Sequence, residues 1–157
     1  MPDMLVKLYK LPDGSAVYKA LEEEGIRVFR PMTPNQTKVK KFISEFFSEG
    51  WADETGTAFY KFPVSCFIAY DTKEKKIVGF AGYDCTCRGF FGPTGVDPAY
   101  RKRNIGRALL LKCLEAMRDE GYGYAVIGGA GPVHFYEKCC GATVIEEETH
   151  GIYKDLI

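Results

Sequence analysis

The sequence predicts an α/β or α+β domain built on a mixed β-sheet, and three observations carry this. Apolar runs of strand length at 64–70 and 77–83 flank the polar turn Asp71–Lys76, which makes them an antiparallel hairpin. An apolar stretch ending at Val96, an amphipathic helix from Asn104 to about Glu120 and the short apolar run Tyr124–Ile127 form a strand–helix–strand unit. Such a unit needs a crossover, so its two strands are parallel neighbours. The remaining segments alternate between helical and strand-like spacing, giving the order β-α-β-α-β-β-β-α-β-α-β-β.

Each element follows from local signals. Residues 4–9 read as a short strand, and Pro12-Asp-Gly14 as a turn. Ser15 opens a helix through Glu24, which Gly25 stops, and Ile26–Phe29 is a half-exposed strand. Thr33, Pro34 and Gln36 suit the N-cap, first-turn and capping-box positions of the next helix. Its buried stripe is Val39, Phe42, Ile43, Phe46 and Phe47, and Gly50 is the expected stop. Residues 51–60 suit a short helix and loop. The strand from Gly89 to Val96 is interrupted by Gly92, Pro93 and Gly95, which predicts a bulge or a close backbone approach. The helix after it buries Ile105, Leu109, Leu110, Cys113, Leu114 and Met117 and stops at Gly121. A glycine-rich exit, Gly128-Gly-Ala-Gly131, leads to a short helix over about Pro132–Cys139, closed by Gly141. Thr143–Glu146 and Gly151–Tyr153 are expected as a last pair of strands.

At 157 residues the chain has the size of one domain, and 46% apolar residues with 11 Phe and 10 Tyr supply a core. Lys plus Arg equals Asp plus Glu at 21 each, which argues against broad electrostatic binding of nucleic acid or anionic membrane. The N-terminus lacks the apolar core of a secretory signal, and no run is long enough to span a membrane, so a cytoplasmic location is expected. Cys85, Cys87, Cys139 and Cys140 do not match zinc-ligand spacing, and no metal is expected.

The stretch from Val96 to Leu110 carries the chemistry. An apolar strand ends, Arg101, Lys102 and Arg103 follow in a polar loop, and a helix begins near Asn104 with Arg107 one turn in. A helix N-terminus offers unpaired N–H groups and the positive end of the dipole, which suit a phosphate. Three basic residues before a helix start oppose that dipole, so their placement favours a bound anion over a solvated face.

Arg101, Lys102, Arg103, Asn104, Ile105 and Gly106, followed by Arg107-Ala-Leu-Leu110, resemble the main signature of the GNAT superfamily of N-acetyltransferases. Val96-Asp-Pro98 upstream and Phe135-Tyr136 to Gly141 downstream resemble further segments of that family. The resemblance implies a mostly antiparallel sheet of six to seven strands flanked by helices, with a parallel pair splayed around the cofactor. It makes residues 26–157 the N-acetyltransferase domain and 1–25 an N-terminal extension packed on it. It implies acetyl-CoA as cosubstrate, a small-molecule or peptide amine as acceptor, and direct attack in a ternary complex; a homodimer is left open. Gly95 and Val96 would offer backbone to the pantetheine arm, and residues 101–107 would hold the pyrophosphate. Tyr136 matches the family's frequent general acid. An alkyl thiol near pKa 8.5 and a phenol near 10 make full proton transfer uphill by roughly 2 kcal/mol. Tyr136 therefore needs a lowered pKa, or serves only as a hydrogen-bond donor. Asn104 replaces the first motif glycine and is a common visitor to positive φ. Gly129 and Pro132 stand where the family often has Asn and Ala, and Cys139-Cys140 lengthen the spacing to Gly141.

Asp84, Glu49, Asp53 and Glu54 are candidate bases without a spacing signal, and His134 falls on a different helix face from Tyr136. Three other readings compete. A dinucleotide fingerprint at Gly128–Gly131 fails because His134 stands where a third glycine is needed. A nucleic-acid patch at 101–107 lacks interleaved aromatics. A non-catalytic acyl-CoA-binding module of the same fold differs from the enzyme in being indifferent to loss of the Tyr136 hydroxyl.

Overall fold

A computed structural model describes residues 1–146 and 150–157. The strands are β1 (Met4–Lys7), β2 (Ile26–Phe29), β3 (Cys66–Asp71), β4 (Lys76–Tyr83), β5 (Phe90–Val96), β6 (Tyr124–Ile127) and β7 (Thr143–Val144). The helices are α1 (Ser15–Glu23), α2 (Gln36–Phe46), α3 (Glu49–Gly56), α4 (Ile105–Asp119) and α5 (Val133–Cys140). The described strands form one sheet in the order β2-β3-β4-β5-β6-β1-β7. All neighbours are antiparallel except β5 and β6, which pair in parallel as the crossover requires. The expected mixed, mostly antiparallel sheet with one parallel pair is therefore present.

Two cores cover the two faces of the sheet. On one face α4 lays Ile105, Leu109, Leu110, Cys113, Leu114 and Met117 against the sheet, all fully or almost fully buried, as the helical spacing predicts. On the other, Val39, Phe42 and Ile43 of α2 meet Ala52, Phe59, Val64, Ile68 and Phe80. The chain thus buries one face of each helix against a sheet that is apolar on both sides.

Residues 4–7 of the N-terminal segment are woven into the sheet. β1 lies between β6 and β7, with Met4 opposite Ile127 on one side and Val144 on the other. Its alternate residues Met4 and Val6 are completely buried. The strand expected over 4–9 ends at Lys7, with 8–10 a 3-10 turn, and its partners are not legible locally because pairing is non-local.

Three local expectations are corrected. Thr33 does not cap α2: residues 33–35 form a 3-10 turn, α2 begins at Gln36, and its N-cap Asn35 makes no side-chain bond. Gln36 is then the first helical residue and cannot close a capping box. Gly50 does not stop α2, which ends at Phe46. Ser48 caps α3, its Oγ accepting from the Trp51 N–H at 3.1 Å, so the cap signal outweighs the glycine. Finally, residues 151–153 form a 3-10 turn rather than a strand, and β7 pairs with β1 instead.

The embedded β1 has a measurable consequence. Met4→Ala should cost about 2–5 kcal/mol of unfolding free energy in a denaturant titration, as for a core residue. A near-neutral result would mean that the N-terminal strand is dispensable.

Candidate active site

The site begins where two strands part. β5 and β6 pair only at Phe90–Val126 and Phe91–Ile127, and then diverge. Beyond that point β5 keeps its antiparallel bonds to β4 alone. Asp97 N–H donates to Val78 O at 2.8 Å, so alternation turns the N–H and C=O of Thr94 and Val96 toward the open edge. Gly95 faces its own backbone toward β4. Its missing side chain instead makes room for the Phe47 ring, which a Cβ there would overlap.

The loop between β5 and α4 is held at its base. Asp97 is buried and accepts from the Ala99 N–H at 2.9 Å, and the Tyr100 hydroxyl donates to Asp71 Oδ2 at 2.7 Å. Lys102 and Asn104 both sit at positive φ, 63° and 64°. Alternating turns of this kind direct successive N–H groups into one concavity. Among the described residues, the N–H groups of 102–107 donate to no protein acceptor. Arg107 Nε is buried and likewise has no partner. Unpaired amides at a helix N-terminus beside an orphaned guanidinium nitrogen are a cradle for a multiply charged anion.

A cleft of about 1310 Å³ runs from this cradle between the diverging strands. α5 forms its far wall and brings in Tyr136, which is 5% exposed and packs edge-on against Phe91 and Phe135. Burial pushes the Tyr136 hydroxyl up to about 12, with Cys140 and Cys139 adding smaller upward contributions. The lowered pKa that full proton transfer needs is thus not provided, because nothing positive stands close enough to offset the lost water. The Cys139 thiol, also in the cleft, is raised by burial, against the opposing pull of Arg107 and Lys138.

The glycine-rich exit of β6 forms the floor. The buried Asp3 accepts from the Gly129 N–H at 2.8 Å, and Pro2 O accepts from the Ala130 N–H at 2.8 Å. The segment before β1 thereby fixes the loop that lines the cleft. Sequence reading missed Asp3, since nothing local links it to a loop more than a hundred residues away.

Of the sequence-predicted residues, Gly95, Val96, Arg101, Lys102, Asn104, Gly106, Arg107 and Tyr136 line the cleft. Ile105 is buried in the core, so only its N–H faces the cradle. The Arg103 side chain turns away, pairing with Glu24 at 3.9 Å and lying over the Tyr100 ring at 5.2 Å. Among the four candidate carboxylates only Glu54 lines the cleft, and its Oε1 accepts from the Thr86 hydroxyl. Asp84 is committed to its own turn, accepting from Gly89 N–H at 2.7 Å and Tyr122 OH at 2.9 Å. Glu49 and Asp53 are exposed, and the His134 side chain is 91% exposed. No group of His, Cys, Asp and Glu among the described residues is arranged to hold a metal ion.

A parallel pair that splits, with a run of unpaired amides and a buried arginine nitrogen at the mouth of the split, is the geometry of this site. The sequence model of the acetyltransferase (GNAT) family matches residues 37–142, roughly two-thirds of the chain. The chain belongs to that family. No curated protein matches it significantly. Among solved structures, it resembles a glucosamine N-acetyltransferase region of a fungal multi-domain GH3 β-N-acetylglucosaminidase. That match has TM-score 0.74 and 11% identity, over 92% of this chain and 19% of the other. A GCN5-related N-acetyltransferase from Sphaerobacter thermophilus matches at TM-score 0.69 and 20% identity, over 92% of this chain and 48% of that one. An aminoglycoside acetyltransferase from an uncultured soil metagenomic sample matches at TM-score 0.58 and 14% identity, over 82% and 95%. The chain spans about a fifth of the first of these structures and about half of the second. At these identities the likeness is one of fold.

The positive φ at Asn104 can be tested directly. Asn104→Gly should be near neutral in stability, whereas Asn104→Val should cost about 1–2 kcal/mol, read by chemical denaturation. Equal stability of the two variants would contradict the left-handed helix cap.

Proposed function

We propose that this chain transfers the acetyl group of acetyl-CoA to a primary amine by direct attack in a ternary complex. The observation that carries the reading is the run of unpaired N–H groups at 102–107, open to the same cleft as Tyr136. These amides, Arg107 and the exposed Arg101 and Lys102 suit a pyrophosphate. The outward-facing backbone of Thr94 and Val96 suits the amides of a pantetheine arm. When bound, acetyl-CoA supplies a thioester carbonyl at which the amine forms a C–N bond as the C–S bond breaks, the thiolate departing and the amine losing a proton.

Tyr136 donates a hydrogen bond to the developing thiolate and keeps its own proton. With the phenol at about 12, complete transfer to a thiolate near 8.5 would be uphill by on the order of 5 kcal/mol. A neutral donor aimed at developing charge in a water-poor cleft is the cheaper way to stabilise it. Glu54, the acidic residue lining the cleft, pairs with the incoming ammonium, which loses its proton to solvent before attack. It accepts the second proton, directly or through water, once C–N bond formation has made that nitrogen acidic. The six free cysteines fit a reducing compartment such as the cytoplasm.

Four outcomes are expected. Coenzyme A at a hundredfold excess over Kd should stabilise the fold by about 2.7 kcal/mol, a rise of roughly 5–10 °C in Tm. Arg107→Ala should weaken that binding by about tenfold or more, through loss of a charge-assisted bond. No shift in Tm at millimolar coenzyme A would overturn the reading. Tyr136→Phe should lower kcat by about 100-fold with little change in coenzyme A affinity. The pH profile has a definite sign. The phenol must be protonated to donate, and its raised pKa keeps it so, so kcat/KM should rise as the amine deprotonates and show no tyrosine-dependent fall below about pH 10. A fall near neutral pH that Tyr136→Phe abolishes would contradict a neutral donor.

A further inference from the structure

The wall of the cleft formed by α2 and α3 has a chemistry of its own. α2 ends and α3 begins there, and the turn between them sets Phe47 and Trp51 in a stack with ring centroids 5.5 Å apart. Phe80 supports both rings from the sheet, at 5.6 Å and 6.2 Å. Phe47 reaches this position because Gly95 has no side chain. Trp51 remains 38% exposed, so the stack presents a face to the cleft rather than closing into the core.

Glu54 lies three residues after Trp51 on α3, on the same helix face and about 4.5 Å further along the axis. It is the one carboxylate among the described residues lining the cleft, where Arg101, Lys102, Arg107 and Lys138 supply the basic side chains. Its carboxylate is fixed by the Thr86 hydroxyl from the loop between β4 and β5. The cleft is therefore polarised, with its basic side chains on the β5–α4 loop, α4 and α5, and a single carboxylate beside an aromatic face on α3.

From this arrangement, and resting on the reading above, we propose that the acceptor is a primary amine carried on a short linker from an aromatic ring. The ammonium pairs with Glu54, and the ring packs on the Phe47–Trp51 stack. A single carboxylate matches one ammonium, whereas a polyamine needs several. A sugar acceptor needs a set of hydroxyl partners, but Thr86 is already bonded to Glu54 and the Thr94 hydroxyl to Phe80 O at 3.1 Å. An aromatic face beside a partly desolvated carboxylate favours an arylalkyl ammonium on both counts.

Trp51 is the only tryptophan of the chain, so its fluorescence reports occupancy without any turnover. Phenethylamine titrated into the coenzyme A-bound protein should change that emission saturably. 2-Phenylethanol, n-butylamine and spermidine should each bind about tenfold more weakly or worse, lacking the charge, the ring, or a match to a single carboxylate. Glu54→Gln should weaken phenethylamine by a similar factor while leaving the coenzyme A-induced rise in Tm intact. In the transfer assay, kcat/KM should rank phenethylamine above n-butylamine and spermidine. Equal or better binding of n-butylamine or spermidine, or no saturable response to phenethylamine, would overturn the inference. If coenzyme A still raises Tm in that event, the acetyltransferase reading stands and only the acceptor class fails.

Discussion

Everything at this site depends on a shortage of hydrogen-bond partners. Two parallel strands that pair at Phe90 and Phe91 and then part leave β5 with an unpaired edge. The helix that follows leaves six consecutive amides of the loop and first turn equally unpaired. Backbone polar groups in such a setting are costly unless something satisfies them. A ligand with amides along one arm and phosphates at one end meets both needs in one binding event. The rest of the domain keeps this opening from closing. α4 is anchored by a fully apolar face, Tyr100 ties the loop to Asp71, and Asp3 holds the glycine-rich floor in place.

The same geometry explains the division of labour in the cleft. Its basic groups gather at the start of α4 and on α5, while its carboxylate stands on α3 beside the Phe47–Trp51 stack. Between them Tyr136 is packed by aromatic rings, and burial raises its pKa rather than lowering it. Packing that makes the phenol a poorer acid also holds it in position and keeps water away. On the proposed reading, in which Tyr136 donates a hydrogen bond to a transient anion, position and low polarity count for more than acidity.

Much of this was legible in the sequence, because the deciding signals were local. The basic loop, the abrupt helix start and the glycines and proline of β5 lie within twenty residues of one another, and Asn104 is a residue type able to take the positive φ it adopts. The long helix and both strands of the hairpin followed from hydrophobic spacing. What failed was either a contest between local signals or a matter of long-range pairing. Gly50 lost to the Ser48 cap, and Thr33 to a 3-10 turn. The place of β1 inside the sheet, the Asp3 latch and the diversion of Arg103 to Glu24 all join residues far apart in the chain. The choice of Glu54 over three other carboxylates was similarly out of reach, since only the fold decides which acid meets the cleft.

The most direct test of the central claim, that unpaired amides at the start of α4 receive the phosphates, is an amide-resolved NMR titration with coenzyme A. The account predicts that the N–H resonances of residues 102–107 move most and saturate together, accompanied by those of Thr94 and Val96 along the open strand edge. Large shifts elsewhere with 102–107 unmoved would contradict it.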